Sequence, residues 1–236
     1  MLRACLLAST ILFATAAPAQ AATPVQGNAA QANNAELAAF FQAYDKAQLA
    51  MSPLSKAYRG IKDADYGKWD EYTDAAALKS RQLDDSTLAA MRQRFDRASL
   101  SPADQLSYDL FAFDIERSAS VFGYRKQGYV FDQMNGAQSD GPAFLINIHR
   151  VDTLADAEAY VSRLQTLDTF LDQAMAEAKD RQARGILPPQ WVFPYVIQDS
   201  KNIIAGAPFG EGPDSALFAD LKAKVNKVAV ADAEKT

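Results

Sequence analysis

The chain has 236 residues, a net charge of −5, one histidine (His149) and one cysteine (Cys5). That scarcity excludes a zinc site built from its own imidazoles and thiols, and it excludes a disulfide-held core. The acidic balance, one unit more negative if Arg3 is cleaved off, leaves no basic face for nucleic acid; Lys222, Lys224 and Lys227 are interrupted by Ala223 and Val225 and read as a solvated helix face.

Residues 1–21 predict a signal peptide. Arg3 precedes an apolar run from Ala4 to Ala17, followed by Ala17-Pro18-Ala19-Gln20-Ala21, which offers two Ala-x-Ala cleavage positions. About 14 apolar residues are short for a bilayer span, which needs roughly 20. The expectation is export to the periplasm or beyond, with no stable membrane insertion after cleavage. Residues 22–34 contain no periodic hydrophobic residues and predict a flexible leader. Residues 35–236 then suffice for one domain with a substantial core or for two small ones, and one helical domain is the expectation.

Asn34 is placed to cap a helix carrying Leu37, Phe40, Phe41 and Tyr44 that ends near Ser52-Pro53. From Leu54 to Asp74 the chain reads as an irregular surface segment with a short helix after it. The next helix is expected to be capped by Asp85 or Ser86, with Leu88, Met91 and Phe95 in line. Ser101-Pro102-Ala103-Asp104 supplies a cap, a first-turn proline and a capping-box acid for a helix to about Ser120. Its broad apolar set, with Leu106, Leu110 and Phe113, predicts burial on more than one side.

Glycines 123, 128, 136 and 141 break the periodicity between 121 and 150, so irregular loops or a short hairpin are expected there. Asp132, Asn135, Ser139 and Asp140 fall in this stretch. They lack the dense oxygen series ending in a bidentate acid that a calcium loop needs, so no metal site is assigned. One long helix is expected near 153–184: Thr153 and Asp156 form a capping box, Val161, Leu164, Leu167, Leu171 and Met175 repeat at helical spacing, and Gly185 closes it before Pro188-Pro189. Those prolines set an extended entry from which Trp191, Phe193 and Tyr195 fill a gap beside the long helix, with peptide recognition as the alternative. The loop Ala207–Pro213 lacks the ending of a phosphate-binding loop. A last helix after Pro213 uses Leu217, Leu221, Val225 and Val228, and Ala229 to Thr236 continue in helix formers without a stop signal. The fold class is mainly α, a multi-helix array.

His149 precedes the long helix. With Asp152 nearby it has the makings of a general base, but the same grouping equally ties a loop to a helix start, and the structural role is preferred. The chain has no Gly-x-Ser-x-Gly elbow, and one histidine cannot make His-Glu-x-x-His. Carboxylates such as Asp132, Asp140 and Asp152 are too scattered to be paired by spacing. No catalytic, cofactor-binding or metal-ligating residue is assigned.

The order of segments is more informative than any one of them. Ser52-Pro53-Leu54, the run from Leu100 to Asp109, Asp156 to Leu164, and Gly185-Ile186-Leu187-Pro188-Pro189 together resemble the N-terminal part of the bacterial domain-of-unknown-function 885 family. The resemblance spans about Glu36 to Thr236. It implies a largely helical fold and a zincin-type metallohydrolase, peptidase-like, whose zinc helix carries a His-Glu pair and a following Gly-His. No position here can receive those ligands, and the neighbours of His149 do not match them. Zinc is therefore expected for the full-length family protein and not for this chain. Residues 35–236 are expected to form the N-terminal part of a longer domain, inactive alone, with the long helix and the Pro-Pro-aromatic segment walling a cleft for a peptide substrate. The alternative is a free-standing periplasmic helical binding or interaction module.

Overall fold

A computed structural model describes residues 34–228; the signal-peptide and leader expectations for 1–33 and the tail 229–236 lie outside the described residues. The described chain is mainly α-helical: α1 (Ala35–Leu49), α2 (Pro53–Tyr58), α3 (Asp74–Arg94), α4 (Pro102–Phe122), α5 (Ala137–Asn147), α6 (Leu154–Gln165), α7 (Leu167–Ala183), α8 (Val192–Ile203) and α9 (Ala216–Val225). Among the described residues, no helix is long and apolar enough to cross a membrane.

Several ends fall where their capping chemistry puts them. Asn34 Oδ1 accepts from the amides of Glu36 and Leu37 at the start of α1. Thr153 and Asp156 form the reciprocal capping box of α6. Gly185 takes φ +77°, and the amide of Ile186 reaches back to the Arg181 carbonyl to finish α7. At α4 only half of the expected box forms. Ser101 Oγ accepts from the Asp104 amide, but the Asp104 carboxylate accepts from the Ser101 hydroxyl and from the Asn34 amide, each at 2.8 Å, in place of the Ser101 amide. One acid thereby ties the first turn of α4 to the cap of α1.

Several expectations change. Helix α3 begins at Asp74 with Thr73 as cap, about three turns before Asp85 and Ser86. Those two residues sit mid-helix, where Asp85 pairs with Arg81 one turn back and the Ser86 hydroxyl bonds the Leu83 carbonyl, so neither interrupts it. Residues 137–147 form α5 and not a loop or hairpin, although Pro142 lies inside it. Gly141 explains the sequence there: a Cβ at that position would come within 2.6 Å of Leu167 Cδ1, so the glycine lets α5 approach the start of α7. The long helix near 153–184 is divided at Thr166, whose φ of −111° and ψ of 9° end α6 and begin α7. The buried line along the pair runs through Ala157, Tyr160, Phe170 and Ala174, while Val161 and Met175 of the expected stripe are exposed. Helix α4 buries one side only, through Tyr108, Ala112 and Ile115, and leaves Leu106, Leu110 and Phe113 in solvent.

Packing gathers into a core of α1, α3 and α4 around Met91, Leu37 and Tyr108, and further clusters among α5, α6, α7 and α9 around Leu145, Tyr160 and Phe170. The segment between α2 and α3 is exposed over residues 59–64, as expected, but then turns inward: Tyr66 is buried and Trp69 packs into three of the clusters. Truncating Met91 to alanine should cost roughly 3 kcal/mol in urea unfolding, because a fully enclosed side chain leaves a cavity. Leu110→Ser on the exposed side of α4 should stay within about 0.5 kcal/mol of the parent.

Candidate functional site

The loop between α5 and α6 carries His149 into the interior, where its ring is 1% exposed. It lies 4.4 Å from the Tyr66 ring and 5.2 Å from that of Tyr160. Both nitrogens are engaged. Nδ1 is 3.0 Å from a terminal nitrogen of Arg163, which can only donate, so Nδ1 is the acceptor; Nε2–H then donates to the Asp156 carbonyl at 3.0 Å. This is a neutral imidazole with a defined tautomer. Burial, and next to it the Arg163 charge, pushes its pKa down to about 4.

Arg163, on α6, is fully enclosed. Its Nε donates to the Lys68 carbonyl, and its guanidinium lies over the rings of Phe144, Tyr66 and Trp69, with 4.6 Å to the nearest centroid. The Trp69 indole donates to the Arg163 carbonyl, and the Tyr66 hydroxyl bridges the Arg150 backbone, donating to its carbonyl and accepting from its amide. Burial lowers the Arg163 pKa to about 10, which leaves it a cation at neutral pH. Sequence reasoning missed Arg163. The available signal was its place seven residues after Asp156, on the same helix face as Tyr160.

The other candidates scatter. Asp152 pairs with Lys62 and does not orient His149; Lys62 also meets Asp156, whose carboxylate accepts from the amides of Asp152 and Thr153. Asp132 caps a local turn through the amides of Met134 and Asn135, and the Ser139 hydroxyl bonds the Gly136 carbonyl. Asp132, Asn135, Ser139 and Asp140 share a loop and helix start without converging, and among the described residues no cluster of three metal-ligating side chains occurs.

The 66–69 anchor also fixes one wall of a polar cleft of about 590 Å³, lined by residues 68–74 together with Arg125, Lys126, Glu177 and Arg181. Arg125 holds Asp74 through both carboxylate oxygens, and Lys126 sits among Asp74, Glu177 and Asp180. The Asp74 and Tyr72 amides donate to Glu177 and Gln173 of α7. Hydrogen bonds from Arg125 hold the Asp74 carboxyl below its usual range, and those from Lys56 and then Lys68 bring Asp65 down to about 2. Asp70 accepts from Ser52 and the Leu54 amide. Asp65, Asp70 and Asp74 are thus hydrogen-bond acceptors committed to structure.

The chain matches the model of the family described as "Bacterial protein of unknown function (DUF885)" over residues 53–236. It belongs to that family. No curated protein matches it. Zinc, which the resemblance implies for the full-length family protein, does not fit the residues present: the sole imidazole has no free lone pair and lies inside the core.

Because His149 is neutral in the fold and takes a proton only near pH 4, while the unfolded chain takes it near 6.5, stability should fall as pH drops through that window and level off below it. Between pH 7 and pH 5 the expected loss is about 2 kcal/mol by urea denaturation. His149→Gln should be less stable than the parent at pH 7 and should lose the slope across this window.

Proposed function

We propose that this DUF885 chain is the helical, substrate-facing portion of an exported, metallopeptidase-like hydrolase, and that it carries no zinc chemistry of its own. The observation that carries this is the family match over 53–236 combined with a polar cleft whose wall, the 66–74 segment, is fixed by the interior. An extended peptide exposes many backbone donors and acceptors, and a cleft edged by Glu71, Lys79 and neighbouring polar groups can meet them. His149 and Arg163 act beneath this wall as positioning residues and touch no substrate.

The full chain, dialysed against zinc, should retain well under one ion per molecule and release no fragments from a peptide mixture followed by mass spectrometry. Stoichiometric zinc with cleavage would refute the proposal. A photoreactive peptide mixture should label residues of the cleft, and Lys79→Glu should change which peptides are captured; labelling confined to other surfaces counts against a peptide substrate.

Export is part of the proposal. The protein recovered from the periplasm or medium should begin at Gln20 or Ala22 by N-terminal sequencing, whereas an intact Met1 on the recovered protein would argue against a cleaved signal.

A second reading, a binding or interaction module, is favoured by one specific observation. Trp191, Phe193 and Tyr195 do not fill a gap as expected from the sequence: α8 begins at Val192, which alone of that helix is buried, and the three aromatics are exposed.

A further inference from the structure

A second concavity lies between the C-terminal half of α7, the 129–131 loop and α8, with a volume of about 490 Å³, within the range of small-molecule sites. Val130, Phe131, Met175, Ile186, Phe193 and Ile197 supply its surface. The charged residues along it are Lys179, Arg181 and Lys201; no aspartate or glutamate lines it, in a chain whose net charge is −5. Lys126 close by is surrounded by three carboxylates, but among the described residues Lys179, Arg181 and Lys201 form no ion pair. Arg181 donates from one terminal nitrogen to the Gly128 carbonyl, while its buried Nε–H has no acceptor.

We propose that this groove binds a long-chain carboxylate, a fatty-acid-type amphiphile, with its acyl chain against the apolar wall and its head group at the cationic edge. Two physical points select this occupant. An extended peptide laid in the groove would bury backbone N–H and C=O groups against a wall offering few partners, and each unmet group costs about 1–3 kcal/mol. An acyl chain has no such groups. The lysine stems can add to the apolar wall while their ammonium groups reach water, so a carboxylate in this groove meets only positive side-chain charge along the lining. The site is separate from hydrolysis, so binding without turnover leaves the hydrolase proposal untouched, and the converse holds too.

The test uses the full chain with palmitate below its micelle concentration, by calorimetry or by displacement of a fluorescent acyl probe. Palmitate should bind saturably, and hexadecanol should bind about tenfold or more weakly, since it keeps the chain and loses the charge. Ile197→Glu, at a half-exposed position, should abolish binding with the far-ultraviolet circular dichroism unchanged. Lys179→Glu/Lys201→Glu should weaken palmitate but not hexadecanol. Equal affinity for acid and alcohol, full binding by Ile197→Glu, or displacement of the probe only by an acidic helical peptide would each overturn the proposal; so would the absence of palmitate binding to the parent chain.

Discussion

Arg163 enters the interior without a carboxylate within ion-pair distance among the described residues, and much of the site-bearing half of the molecule is arranged to accept it. Desolvating a guanidinium costs several kcal/mol. Here the charge is met by a backbone carbonyl, a neutral imidazole and three aromatic faces. A desolvated cation–π contact contributes about 2 kcal/mol, and a hydrogen bond to a charged group about as much. One terminal nitrogen is left without a partner, so the cage is not saturated.

This single residue couples elements distant in sequence. Lys68 and Trp69, from the segment after α2, contact Arg163 on α6 by hydrogen bonds in both directions, and His149 links the α5–α6 loop to Asp156 at the start of α6. The cage therefore determines where residues 68–74 run, and those residues make one wall of the polar cleft. Tyr66 and Trp69, drawn in to cover the cation, are the reason a stretch rich in glycine and charge turns inward after its exposed residues 59–64. The histidine serves as a neutral acceptor for the arginine, a role that requires it to stay deprotonated and therefore removes it from metal and acid–base chemistry.

The electrostatics divide the surface into two kinds of concavity. In the polar cleft Asp65, Asp74 and Asp70 are each held by a cation, a hydroxyl or an amide. In the apolar groove Lys179, Arg181 and Lys201 form no ion pair among the described residues, Arg181 donating instead to the Gly128 carbonyl, and the helix beside it, α8, buries only Val192. Arg181 lines both.

The helical class, the caps at Asn34 and Thr153 and the left-handed stop at Gly185 were legible in the sequence, because they depend on hydrogen bonds within a few residues. So was the shortage of metal ligands, a matter of composition. Other features required partners far along the chain. The start of α3 at Asp74 lies about three turns before the residues that looked like its cap, Gly141 leaves room for Leu167 against an α5 that also contains Pro142, and Thr166 divides a helix that carries no proline or glycine there. The solvent side of α4 shows that an apolar stripe in sequence is buried only where another helix covers it. The role of His149 could be narrowed by its neighbours but was decided by Arg163, fourteen residues on and one loop away, because a buried cation and a neutral imidazole become partners only when tertiary packing excludes water from both.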